Sequence, residues 1–229
     1  MKLGVITAMS KEYRQLSLMM TASKELLYGE DKYLVGQIGE VEVILLQCGI
    51  GKVNAAMGVS LLIERMHPDA IISTGVAGGI DECLHVMDVV VSSQTCYHDV
   101  WCGPGNAWGQ VQGLPERFES DATLLKAASG LQTEVTIHPG LICTGDLFVS
   151  RPEEQQFIKS HFPDALAVDM ESAAIAQVCC LKQVPFVSFR IISDTPGHKD
   201  NISQYQDFWK TMADKSFSVT RAYIKNFNK

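Results

Sequence analysis

Short apolar runs alternating with helix-period segments constrain this chain more than any other feature of its sequence. Residues 2–8 (KLGVITA) read as a buried strand, and residues 11–21 as a helix with Ser10 at its N-cap. Residues 33–38 and Val41–Gln47 flank Gly39-Glu40, a tight-turn signal that makes the two strands an antiparallel hairpin. Lys52–Met66 is the clearest helix: Val53, Ala56, Met57, Ser60, Leu61 and Ile63 form one apolar or small face, and His67-Pro68 ends it. Residues 70–73 read as a strand running into Thr74-Gly75-Val76-Ala77-Gly78-Gly79, glycines that suit a tight turn or a close approach of backbone to a ligand.

The second half repeats the rhythm. Strands are expected at 88–97, 141–144 and 185–193, the last (PFVSFRIIS) apolar enough to be buried on both faces. Helices are expected at 121–130, Pro152–His161, 171–180 and 204–225, and residues 100–116, with four Gly, two Pro and two Trp, form a long structured loop. Alternating strands and helices predict a three-layer αβα sandwich, and the early hairpin makes its central β-sheet mixed. No linker or repeat interrupts residues 1–229, which read as one domain.

Composition excludes several function classes. A net charge of −7 and a pI near 5.3 supply no basic stripe for a nucleic-acid backbone. Nothing approaches 18 consecutive apolar residues and no signal peptide opens the chain, so no membrane partner is expected and the location is cytoplasmic. The seven cysteines (48, 83, 96, 102, 143, 179, 180) are odd in number and scattered, which suits reduced thiols and offers no metal spacing. No metal or other cofactor is expected.

Ligands of such folds bind beyond the carboxyl ends of the strands, which directs attention to residues 8–12, 73–79, 145–149 and 193–196, with Asp99, Asp146, Glu171 and Asp194 as nearby carboxylates. Gly49-Ile50-Gly51-Lys52 resembles the end of a P-loop, but Leu46 stands where that motif needs glycine. His98-Asp99 alone is a weak catalytic or metal signal.

Taken in order, MKLGVITAMSKE, CGIGKVNAAMG, STGVAGG, YHDV, TGDLFV, VDMESAAIAQVC and FRIISD resemble the methylthioadenosine/S-adenosylhomocysteine nucleosidases, a branch of the purine nucleoside phosphorylase superfamily, over nearly the whole chain. The resemblance implies a nucleoside phosphorylase/hydrolase-like fold, a homodimer, and hydrolysis of the N-glycosidic bond of 5′-thio-substituted adenosines to adenine and a thioribose. Cleavage leaves negative charge on the base and oxocarbenium character on the sugar, so an acid is needed at purine N7 and a base for water. By resemblance Asp194 is that acid, its pKa raised by burial at the end of an apolar strand, Glu12 is the base, and Arg190 is the cation beside them. Glu171 corresponds to the acceptor of the ribose hydroxyls, with Met170 under the sugar and Val76 and Ser193 among the substrate-binding residues. Phe148 and Val149 correspond to the adenine site, and Met9, Ile50 and Tyr205 to the lining of the 5′ pocket.

The sequence departs from the family pattern at three places: Val76 where Ser is frequent, Asp169 where Glu is usual, and 101–108 (WCGPGNAW) in place of an aromatic loop that shapes the 5′ pocket near the dimer partner. The first loop carries Glu12 and lacks the arginine pattern by which phosphorylases hold phosphate, so water is the expected nucleophile. The alternatives are hydrolysis of another 5′-modified nucleoside of futalosine type, phosphorolysis, and a nucleoside-binding protein without chemistry.

Overall fold

The computed structural model describes residues 1–211 and 217–227. Ten strands join one mixed sheet: β1 (Lys2–Thr7), β2 (Thr21–Tyr28), β3 (Asp31–Ile38), β4 (Val41–Gln47), β5 (Ala70–Gly79), β6 (Val89–Tyr97), β7 (Phe118–Glu119), β8 (Ile137–Thr144), β9 (Ala165–Asp169) and β10 (Phe186–Asp194). The helices described are α1 (Ser10–Ser17), α2 (Lys52–Met66), α3 (Ala122–Ser129), α4 (Pro152–His161), α5 (Ser172–Lys182), α6 (Asn201–Thr211) and α7 (Ser218–Asn226).

The alternation of side chains along each strand builds the three layers. Leu3 and Val5 of β1, with Val43 and Leu45 of β4, face α1, α3, α6 and α7 through Leu16, Leu124, Phe208 and Tyr223. Ile6, Ile44 and Leu46 face the opposite way, onto Ala55, Val59 and Leu62 of α2 and Ala173 and Ala176 of α5. The expected sandwich with a mixed sheet is therefore the architecture. One part of it goes further: β5 pairs with β10, β10 with β6, β6 with β8, β8 with β9, and β9 returns to β5, so five strands close into a ring.

Several expectations change. Helix α1 stops at Ser17 with Met9, not Ser10, at its N-cap, because residues 21–28 form β2, an exposed edge strand with no apolar alternation to announce it. Strands β7 and β9, too short to carry a periodic signal, were not expected from sequence. The strand expected at 70–73 runs on through the glycines to Gly79, none of which at 75, 78 or 79 has positive φ, so the turn reading fails. In α2 the face is wrong: Ala55, Val59 and Leu62 are buried, whereas Val53 is 69% and Met57 60% exposed. That helix is apolar on nearly all sides, so periodicity could not tell which stripe meets the sheet. The helix expected at 204–225 is α6 and α7, and residues 212–216 between them lie outside the described residues. Among the described residues no helix is long and apolar enough to cross a membrane.

Candidate active site

At the carboxyl end of the parallel strands a pocket opens, lined by apolar side chains and a few polar groups, the usual make-up of a small-molecule site. Its wall includes eleven of the twelve residues expected from sequence: Met9, Glu12, Ile50, Val76, Phe148, Val149, Met170, Glu171, Ser193, Asp194 and Tyr205. The twelfth, Arg190, lies just behind it on β10 and is 2% exposed.

Glu12 sits in the first turn of α1 and is 2% exposed. Its Oε2 accepts from the backbone N–H of Ala8 and Met9 at 3.0 and 2.9 Å, and its Oε1 from Val76 N–H at 3.1 Å. The first two bonds are the helix-capping function of a glutamate at this position. The third ties α1 to β5. Burial raises the Glu12 pKa, while Arg190 and the three N–H groups oppose it.

Gly75 makes this arrangement possible. A Cβ there would lie 2.6 Å from Glu12 Oε1 and 2.8 Å from Arg190 Nη1, so the missing side chain is the space in which the Glu12 carboxyl and the Arg190 guanidinium approach. Arg190 donates Nε–H to Asp169 Oδ2 at 2.5 Å and Nη2–H to Ser73 Oγ at 3.0 Å, and its Nη2 is 3.8 Å from Glu171 Oε2. Burial disfavours the charged guanidinium, but Asp169, Glu171 and Glu12 more than compensate and raise its pKa.

Glu171 immediately precedes α5, and burial pushes its pKa up to about 7 against the pull of Arg190. Its Oε1 accepts from Gly51 N–H at 2.9 Å. Gly51 adopts φ 95° at the start of α2, a left-handed conformation that suits glycine and aims this N–H across the pocket. Asp194 ends β10 and is 2% exposed; burial raises its pKa to about 6, against hydrogen bonds from Ser193 and Asn201. Ser193 Oγ is 2.6 Å from Asp194 Oδ1, and Asn201 donates its amide to Oδ2.

The apolar part of the pocket is separate from this charged part. Phe148 is 47% exposed and meets the Tyr205 ring edge-on at 5.6 Å between centroids, and Tyr205 Oη is 3.6 Å from Met9 Sδ. No residue of the 100–116 loop lines the pocket within the single chain. Trp108 instead packs on Phe157 and His161 of α4, stacks with Trp101 at 6.1 Å, and donates Nε1–H to His98 O at 3.0 Å.

Two residues matter more than sequence reasoning gave them credit for. Asp169 accepts from Thr144 Oγ1 at 2.5 Å, from Ser172 Oγ and from Arg190, and so anchors the cation. Its place in VDMES was visible, but its pairing was not. Asn201 carried no signal, because nothing local says that α6 begins against Asp194. His98 is buried, and Asp99 pairs with Lys52 Nζ at 2.7 Å. Among the described residues no group of three His, Cys, Asp or Glu side chains is placed to hold a metal ion.

The arrangement can deliver a proton from one carboxyl, Asp194, and accept one at another, Glu12, beside a fixed cation. Comparison with known proteins places the chain in a family. Residues 2–225 match the family model of the phosphorylase superfamily. A 5′-methylthioadenosine/S-adenosylhomocysteine nucleosidase of Geobacillus thermodenitrificans is 42% identical over 98% of this chain and 96% of its own length. The S. pneumoniae nucleosidase of that name, solved with a transition-state inhibitor, superposes with a TM-score of 0.93 at 37% identity, covering 99% of both chains. The Colwellia psychrerythraea nucleosidase in complex with adenine has a TM-score of 0.93 at 35% identity, covering 99% of this chain and 96% of its own.

Proposed function

The chain belongs to the 5′-methylthioadenosine/S-adenosylhomocysteine nucleosidases of the phosphorylase superfamily, and from that premise we propose how its pocket hydrolyses the N-glycosidic bond of these nucleosides to adenine and the thioribose. The convergence of Glu12, Glu171, Arg190 and Asp194 on one pocket carries the reading.

Asp194, which burial lifts to a pKa of about 6 so that a fraction of the carboxyl keeps its proton near neutral pH, gives that proton to purine N7 as the glycosidic bond breaks. The base leaves as neutral adenine with the bonding electron pair, and the sugar passes through an oxocarbenium-like state. Water then attacks the anomeric carbon from the opposite face and passes a proton to Glu12, which is held for that purpose by three backbone N–H groups. Arg190 stabilises the ionised Glu12 and Glu171 and gives the site its cation. Glu171 accepts the two ribose hydroxyls, two donors that one carboxylate can satisfy. The cycle ends with Glu12 protonated and Asp194 ionised, and solvent exchange restores both. Phe148 and Val149 take the adenine ring, Met170 lies under the ribose, and Met9, Ile50 and Tyr205 take the 5′-thio substituent.

Residues 1–229 act as one domain, since strands from both halves of the chain enter one sheet. We place the enzyme in the cytoplasm, in keeping with its free cysteines. We also infer a homodimer: Ile50, Val53 and Met57 are exposed at the pocket end of α2, and Lys52 ties that end to Asp99 and the loop bearing the exposed Trp101.

The test is to incubate the protein with methylthioadenosine, adenosylhomocysteine and aminodeoxyfutalosine, with and without phosphate, and follow free base. Adenine from the two thioadenosines without phosphate is expected. Turnover only with phosphate would make it a phosphorylase, and no base from any of them would sink the reading.

A further inference from the structure

Among the described residues, the hydrogen bonds to the Asp194 carboxyl come from two side chains, Ser193 at Oδ1 and the amide of Asn201 at Oδ2. Asn201 is 2% exposed and opens α6. Its backbone N–H bonds to His198 O at 3.2 Å, and Gln204 Oε1 accepts from Thr195 N–H at 2.9 Å and from Thr195 Oγ1 at 2.7 Å. The segment from β10 into α6 is thereby fastened at both ends, and the amide is delivered to the carboxyl from a fixed direction.

Asn201 has a second property. Its amide oxygen, Oδ1, is buried with no hydrogen-bond partner among the described residues. Such atoms are rare in folded proteins because burial strips their water and returns nothing. The two ends of the amide match the two states of Asp194. As an anion, Asp194 needs donors, and Asn201 Nδ2 is one. As a neutral acid, it carries an O–H that needs an acceptor, and a half-turn of the amide about Cβ–Cγ puts Oδ1 where Nδ2 stood. Oxygen and NH₂ are close enough in size that the half-turn asks little of the packing.

We propose that Asn201 is a positioning residue that follows the proton of Asp194, holding the carboxyl in one orientation in both states it passes through during turnover. The inference rests on Asp194 being the acid at N7. Of the amide's two bonds, the one to the anion is charge-assisted and stronger, so Asn201 holds Asp194 below the pKa that burial alone would give.

The other ionisable groups at the pocket are Glu12 on α1, Asp169 at the end of β9, Glu171 just after it and Tyr205 on α6, with Arg190 of β10 behind the wall and His198, Lys199 and Asp200 exposed on the connecting segment. All of these remain in place when Asn201 alone is changed.

The experiment compares wild type, Asn201→Leu and Asn201→Asp in kcat and KM for adenine release from methylthioadenosine, from about pH 5 to about pH 9. Asp194 must be protonated to act, so kcat/KM falls as pH rises through its pKa. Asn201→Leu removes the donor; this alkaline limb should move up by about one pH unit, with kcat down about tenfold and KM changed less than about threefold. Asn201→Asp, the same shape, sets a second carboxyl against the first and should move the limb further. A limb that stays put in the folded variants overturns the proposal, and if the Leu variant does not fold, the Asp variant decides alone. Titration of the Asp194 carboxyl by carbon-13 NMR makes the same comparison without turnover. Wild type that releases no adenine would then condemn the nucleosidase reading, while the titration still decides Asn201.

Discussion

Burial takes the Asp194 carboxyl from its usual 3.8 to about 6, and that displacement affects stability as well as rate. Below pH 3.8 the carboxyl is protonated in folded and unfolded chains alike, and it contributes nothing to the balance between them. As pH rises from 3.8 to about 6 the unfolded chain ionises first, so folding loses support; above about 6 the full cost of the buried anion remains, on the order of 3 kcal/mol. Asp194→Asn should therefore lose at least ~10²-fold in kcat and yet melt higher than wild type at pH near 8, with little difference near pH 3. Paired thermal melts check this, and a variant less stable at the higher pH would contradict the account of burial. Gly75→Ala sets a methyl group within 2.6 Å of Glu12 Oε1, and a base displaced by about 1 Å should cost on the order of 10² in kcat. Steady-state rates decide it; undiminished turnover would mean that the space at Gly75 is not needed. The residue scale is where sequence served best for the carboxylates and worst for what holds them. Glu12, Glu171 and Asp194 each stand in a recognisable run, whereas Gly51, Ser73 and Asn201, which bond to Glu171, Arg190 and Asp194, come from 120, 117 and 7 positions away along the chain.

At the scale of elements, α2 shows what periodicity can and cannot say. Its bounds were legible because Gly51 and His67-Pro68 punctuate a run of helix formers. Its buried face was not, since Val53, Met57, Val59 and Leu62 leave no polar stripe to point outward. Leu62 is fully buried against the sheet, so Leu62→Ala should cost about 2–5 kcal/mol in a denaturant titration. Met57→Ala, at 60% exposure, should leave the fold of the single chain within about 0.5 kcal/mol of wild type. Equal losses at the two positions would mean that the face is misassigned. Strand β2 was invisible for the opposite reason: exposed along its length, it is held by backbone pairing to β3, which leaves no hydrophobic pattern in the sequence.

At the scale of the whole molecule, the five-strand ring brings the ends of β5, β9 and β10 together, and with them Val76, Asp169 and Asp194. Ile50, Val53 and Met57 at the pocket end of α2 and Trp101 of the adjoining loop are exposed within one chain, and the proposed dimer would cover them. Sedimentation should give a dimer for wild type and a shift toward monomer for Met57→Asp, because a charge buried at an apolar contact is strongly disfavoured. A wild-type monomer at all concentrations would contradict the proposal.

By itself the sequence determined the alternation of strands and helices, the mixed sheet and the runs that carry Glu12, Glu171 and Asp194, because these follow from local periodicity and from short motifs read in order. Tertiary structure alone decided which face of α2 is buried, that five strands close into a ring, and that Gly75 leaves space for Glu12 and Arg190. It also raised the Asp194 pKa and set Asn201 against that carboxyl. Desolvation, ion pairing and close approach depend on what surrounds a group in space, and at Glu171 and Arg190 partners come from 120 and 117 positions away, which no local pattern connects.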